Sequence, residues 1–189
     1  MCFLSCKKEQ NKPGDVPGIE TPEDTLAIFE DVQIGNHHTI GLTSFLCLRS
    51  GEIYKLNDAP KAIDHQARID LVYYYDAINH TSPYLGAPST LESNQATGGL
   101  NDSSPNGIAL WTTVNETAIM LWESVSVGDF IGIDNYTELK EAWGNTGLIP
   151  HYASNVQSGK VYLIITHNQN IGLLRIKRIS GNGNVAALM

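Results

Sequence analysis

Apolar residues along this chain recur mostly with a period of two. In "ARIDLVYYYD" (67–76), Ile69, Leu71, Tyr73 and Tyr75 fall on one face of an extended segment, and Asp70, Val72, Tyr74 and Asp76 on the other. Successive side chains of a strand point to opposite faces, so this run predicts a strand. "KVYLIIT" (160–166) and "IGLLRIKRI" (171–179) predict two more, joined by His167-Asn168-Gln169-Asn170 as a four-residue hairpin loop. In the last of these, Arg175 and Lys177 alternate with Leu174 and Ile176, giving one wet and one buried face. A further hairpin is expected from "LTSFLCL" (42–48) and "EIYKL" (52–56) around Ser50-Gly51. "IALWTTV" (108–114) and "TAIMLWESV" (117–125) suggest two more strands. "LAIFEDVQI" (26–34) reads as the first strand, with Thr21-Pro22-Glu23-Asp24 as an alternative cap for a short helix.

Helical signals are few. Asp58 can cap "APKAIDHQ" (59–66), and Thr137 can cap "ELKEAW" (138–143) with Gly144 as the stop. Residues 86–107 are rich in Gly, Ser, Asn and Pro and read as a long surface loop. No repeat of solenoid period is visible. The expected fold is mainly β, a β-sandwich or small barrel with one or two short helices, in a single β-rich domain over residues 26–189.

The N-terminal stretch changes the picture. Phe3-Leu4-Ser5-Cys6 resembles a bacterial lipobox, with Phe3 where leucine is usual, and Ser-Cys-Lys-Lys-Glu is similar to the start of many Bacteroidetes lipoproteins. That resemblance implies that residues 1–5 are the remnant of a lipoprotein signal peptide and that Cys6 is the acylated lipid anchor. It also implies an outer-membrane lipoprotein of the cell envelope, facing the periplasm or the surface. Residues 7–25 hold Pro13, Pro17 and Pro22 and few apolar groups, so residues 6–25 are expected to form a lipid-anchored flexible tether. Nineteen such residues have an r.m.s. reach of about 25 Å. With Cys2 removed and Cys6 acylated, Cys47 has no disulfide partner, and its apolar surroundings make it a small buried hydrophobe.

Charge excludes one class of partner. The net charge is −8, with 12 basic residues scattered along the chain. Nucleic-acid binding needs a clustered basic footprint, and charge-driven adhesion to anionic lipid needs the same. Membrane contact is therefore expected through the lipid anchor only.

Strong catalytic signatures are missing: no P-loop, Rossmann glycine run, His-Glu-x-x-His, Gly-x-Ser-x-Gly or Cys-x-x-Cys occurs. A non-catalytic binding or interaction module is the favoured reading, with a glycan- or peptide-acting hydrolase as an alternative. Three weaker features remain. Asp102, Ser104 and Asn106 are spaced like calcium ligands, with Gly107 as the turn, but Thr113 stands where a bidentate acid is needed. His37, His38, His80, His151 and His167 fall at predicted loops or element ends, where imidazoles can ligate haem iron or zinc. Among aromatics, Trp111 and Trp122 sit in predicted strands and read as core, whereas Trp143 and Tyr152 are candidates for stacking a sugar.

The succession "IGNHHTIGLTSFLCLRSGEIY", "ARIDLVYYYD", "NET", "KVYLII" and "IGLLRIKRI" resembles a recurrent Bacteroidetes lipoprotein domain of unsettled function. The final hairpin is also similar to HmuY-like haem-binding lipoproteins, which are all-β and hold haem through loop side chains. This implies haem capture as the alternative to an otherwise cofactor-free module. The leading expectation is recognition of a carbohydrate or peptide, the ligand being a small molecule, a glycan or an envelope protein.

Overall fold

A computed structural model of the chain describes residues 2–6, 26–35, 44–75, 83–93, 106–144 and 149–179. It is mainly β. One antiparallel sheet contains β1 (Cys2–Cys6), β2 (Leu26–Phe29), β7 (Ala118–Leu121), β9 (Val161–Ile165) and β10 (Ile171–Arg175), in the order β2-β1-β10-β9-β7. The other contains β3 (Phe45–Leu46), β4 (Ile53–Tyr54), β5 (Leu71–Tyr75), β6 (Pro83–Gly86) and β8 (Tyr152–Ala153), in the order β4-β3-β5-β6-β8.

Register decides what lies between the sheets. Leu46 pairs with Leu71 and Tyr73 with Leu85 in the second sheet, while Ile119 pairs with Ile164 and Leu174 with Tyr162 in the first. These side chains share one inter-sheet core with Ile34, and Tyr73 and Tyr162 are its largest fully buried members. Each buried side chain of this kind contributes roughly 1.5–3 kcal/mol.

The alternate residues are buried as well. Phe45, Val72 and Tyr74 point outward from the second sheet beneath a 3-10 turn (Ala62–Arg68), Trp111, and Leu91 of α1 (Pro88–Ser93). Leu163, Ile171 and Leu173 point outward from the first sheet beneath Phe130 of α2 (Val127–Ile131) and Leu139 of α3 (Tyr136–Trp143). The polar face expected for β10 is thus a covered face: Arg175 shares it with buried Ile171 and Leu173.

Several local expectations change for identifiable reasons. Over 108–114 the chain makes only a 3-10 turn (Ile108–Leu110), and Trp111 then drops onto the outer face of the second sheet with its ring 5.4 Å from that of Phe45 in β3. The strand expected over 117–125 stops at Leu121, because Ser126 begins α2 with a reciprocal capping box to Asp129. Asn135, not Thr137, caps α3, accepting from the Glu138 backbone N–H at 2.9 Å. The helix expected over 59–66 with Asp58 as its cap is instead the 3-10 turn that begins at Ala62, with Lys61 at its N-cap position and no side-chain cap bond. The expected loop over 86–107 gives way at its start to the end of β6 and to α1.

Two features fasten the sandwich along its sides. At the β7 and β8 edges, the Ile119 N–H donates to Pro150 O at 2.7 Å and ties one sheet to the other. At the other side, Phe29 of β2 lies against Gly51 in the β3–β4 turn. Gly51 has φ +69°, and a Cβ there would stand 2.9 Å from Phe29 Cδ1. Lys177 also bonds Asp31 at 2.7 Å and holds Asp31 below the usual carboxylate range.

The segment read as signal remnant and anchor forms β1, running antiparallel to both neighbours, with Cys2 opposite Arg175 and Cys6 opposite Leu26. Residues 7–25, expected to be the tether, lie outside the described residues.

Gly51→Ala introduces both left-handed strain and the contact with Phe29, and should lower unfolding free energy by about 1–3 kcal/mol. In urea unfolding, the cost of Gly51→Ala should be smaller in a Phe29→Ala background than in the parent chain, the difference being the steric part and the remainder the backbone part.

Candidate functional site

Two places combine exposure with usable chemistry. The first is a cleft of about 80 Å³ at the end of the sandwich where the chain leaves β3, enters β5 and turns between β9 and β10. Asp70 lies in its wall, only 8% exposed, and its Oδ2 accepts the Leu48 N–H at 2.8 Å. The backbone fixes this position, since the Asp70 N–H donates to Leu46 O and the Gly51 N–H to Cys47 O, each at 2.9 Å. Burial pushes the Asp70 pKa up to about 6, outweighing the Leu48 N–H and the charges of Arg49 and His167 that pull it down.

The facing wall is the β9–β10 turn. The Thr166 N–H donates to Asn170 O at 2.9 Å, and Thr166 Oγ1 accepts the Asn170 N–H at 3.2 Å, presenting Asn168 and Asn170 to the cleft. Arg68 borders it too, held by an ion pair to Glu52. The same Glu52 oxygen accepts from Ser50 Oγ and Tyr54 Oη at 2.8 Å, which lowers the Glu52 pKa. Burial, with that bond to Glu52, pushes the Tyr54 hydroxyl up to about 12. Guanidinium, amide, hydroxyl and carboxylate thus converge on a small polar space. Cys47, a buried free cysteine, also lines it.

The second place is a row of tyrosines across the outer face of the second sheet. Tyr74 and Tyr84 are direct cross-strand partners, and their rings stack with centroids 5.3 Å apart and planes at 15°. Tyr152 of β8 continues the row, 6.5 Å from Tyr84 and tilted by 38°. Exposure rises outward: Tyr74 is buried, Tyr84 is half-buried and Tyr152 is 50% exposed. Gly86 stands opposite Tyr152, where a Cβ would meet Tyr152 Cβ at 3.3 Å and Thr90 Oγ1 at 2.8 Å. The strand end is therefore a glycine so that the tyrosine and α1 can approach.

Of the residues singled out in the sequence, Tyr152 joins the aromatic row and His167 the cleft's electrostatic surroundings. His151 precedes Tyr152, with Nδ1 3.3 Å from Thr117 O. Trp143 is half-buried among the side chains covering the opposite sheet, so it does not join Tyr152. Asn106 donates its side-chain amide to Asn57 Oδ1 at 2.9 Å. Asp102, Ser104, His37, His38 and His80 lie outside the described residues. Among the described residues no three His, Cys, Asp or Glu side chains gather as metal ligands, and no helix is long and apolar enough to cross a membrane. Asp70 carries a visible signal in the sequence, one acid between Ile69 and Leu71, but its place in a cleft does not show there. Tyr84 carries none, because the four residues of β6 are too few to display a strand pattern.

Because Asp70 holds its proton more tightly when folded, its charge is a penalty above pH 6 that is relieved as pH falls toward 4. Full relief is worth about 3 kcal/mol. Asp70→Asn keeps an acceptor for Leu48 and should raise stability at pH 7.5 by about 1–3 kcal/mol, the gain shrinking by pH 4.5. Urea unfolding of both chains across that range isolates this residue from Asp31, Glu52 and Asp129, whose lowered values act in the opposite direction.

No protein-family model, curated protein or solved structure matches the chain.

Proposed function

We propose that this protein is a non-catalytic carbohydrate-binding module of the bacterial cell envelope, attached to the membrane through Cys6. The observation that carries the ligand class is the open end of the tyrosine row. A half-exposed ring on an edge strand, backed by a second aromatic ring, offers the flat apolar surface on which the C–H face of a sugar packs. The buried end of the row fixes the rings before a ligand arrives, so little side-chain entropy is lost on binding. Attachment through Cys6 rests on the lipobox-like run that precedes it.

The ligand class is tested by screening the purified protein on a glycan array and titrating the hits by calorimetry. Tyr152→Ala should weaken binding by about 10-fold or more, while unfolding free energy falls by only about 1 kcal/mol because half of the side chain is already in solvent. Glycan affinity unchanged by this substitution removes the row from the site. The anchor is tested separately: with a full signal sequence restored, Cys6→Ala should move the protein from the membrane fraction to the soluble fraction.

A further inference from the structure

The position of β1 in its sheet has a consequence for the anchored chain. β1 lies between β2 and β10 and is antiparallel to both, so β2 and β10 run parallel to each other with one strand between them. At the usual strand spacing they stand about 10 Å apart. Among the described residues β2 pairs in the sheet only with β1, yet its segment is fastened elsewhere. Phe29 packs on Gly51, Asp31 bonds Lys177, and Ile34 is fully buried between the sheets. β10 is held along its other edge by all five residues of β9. Both walls of the β1 position are therefore secured without β1.

Attachment through Cys6 would remove Cys2–Ser5, all of β1 but its last residue. Two facing rows of backbone N–H and C=O groups would then lack partners, while Phe29 against Gly51 and Ile34 between the sheets still hold the β2 segment in place. Unpaired strand edges are templates for another chain. We propose that in the chain cleaved before Cys6 the β1 position receives an extended segment of another polypeptide, added as a strand antiparallel to both β2 and β10. This rests on the Cys6 reading above. The occupant's chemistry is set by what fills the position here, Cys-Phe-Leu-Ser-Cys: about five extended residues, mostly apolar, with no proline at the centre. Pairing along two edges at once gives such a segment more backbone bonds than addition to a single edge.

The test uses the full chain, folded first, with a protease site inserted between residues 10 and 20 and cut afterwards, so that β1 remains in place as a separate peptide. The cut protein is then mixed with excess fluorescent peptide of residues 1–8 carrying Cys2→Ser and Cys6→Ser, or with the same peptide bearing Leu4→Pro. The expected result is saturable one-to-one uptake of the first peptide by anisotropy and native mass spectrometry, and no uptake of the second. Washing β1 out should lower Tm, and adding the peptide should restore it. A cut protein that sheds β1 without change in Tm, or that never takes up the labelled strand, overturns the proposal. Membrane retention of Cys6→Ala would instead remove the natural vacancy while leaving the peptide result to stand or fall alone.

Discussion

Burial of both faces of the central strands is the constraint on which the rest of this structure depends. Along β5, Leu71 and Tyr73 enter the space between the sheets while Val72 and Tyr74 face away from it, and all four are inaccessible to water. A sheet with two apolar faces needs a cover on its outer side. Trp111 and the Ala62–Arg68 turn cover one sheet, and α2 and α3 cover the other. The cover over the second sheet thins toward β8, and there the tyrosine row emerges into solvent. The proposed sugar platform is thus an extension of the outer core.

The same constraint sets how much could be read beforehand. The alternation in "ARIDLVYYYD", "KVYLIIT" and "IGLLRIKRI" was enough for β5, β9 and β10 and for the mainly β class, because strand periodicity survives whatever covers the strand. It was not enough to tell a wet face from a covered one, since the cover comes from residues distant in sequence. "IALWTTV" shows the limit most clearly: its β-branched and aromatic residues suit a strand, but Trp111 is worth more as a lid than as a ladder member. Strands of two residues, such as β8, carry too little pattern to be seen. Of the candidate site, Tyr152 and His167 were legible as residue types; their grouping with Tyr84 and Asp70 comes from register and turn geometry.

The two candidate places differ in what holds them. The tyrosine row is set by cross-strand pairing and has one glycine where side chains crowd. The cleft is set by a buried charge that the fold keeps against its own solvation cost, with one backbone N–H as compensation. The cleft therefore holds a carboxyl whose charge changes near pH 6, whereas the tyrosine row carries no charge at all.

The pairing of β1 with β10 also bears on the order in which the molecule is put together. Four of the second sheet's five strands come from residues 45–86, a compact stretch whose strands can pair without waiting for the rest of the chain. The first sheet joins residues 2–6 to residues 171–175, the longest closure the described chain makes. Contacts of such separation cost the most loop entropy and form late. In a chain that retains residues 2–6, this strand is therefore among the last to gain both its neighbours.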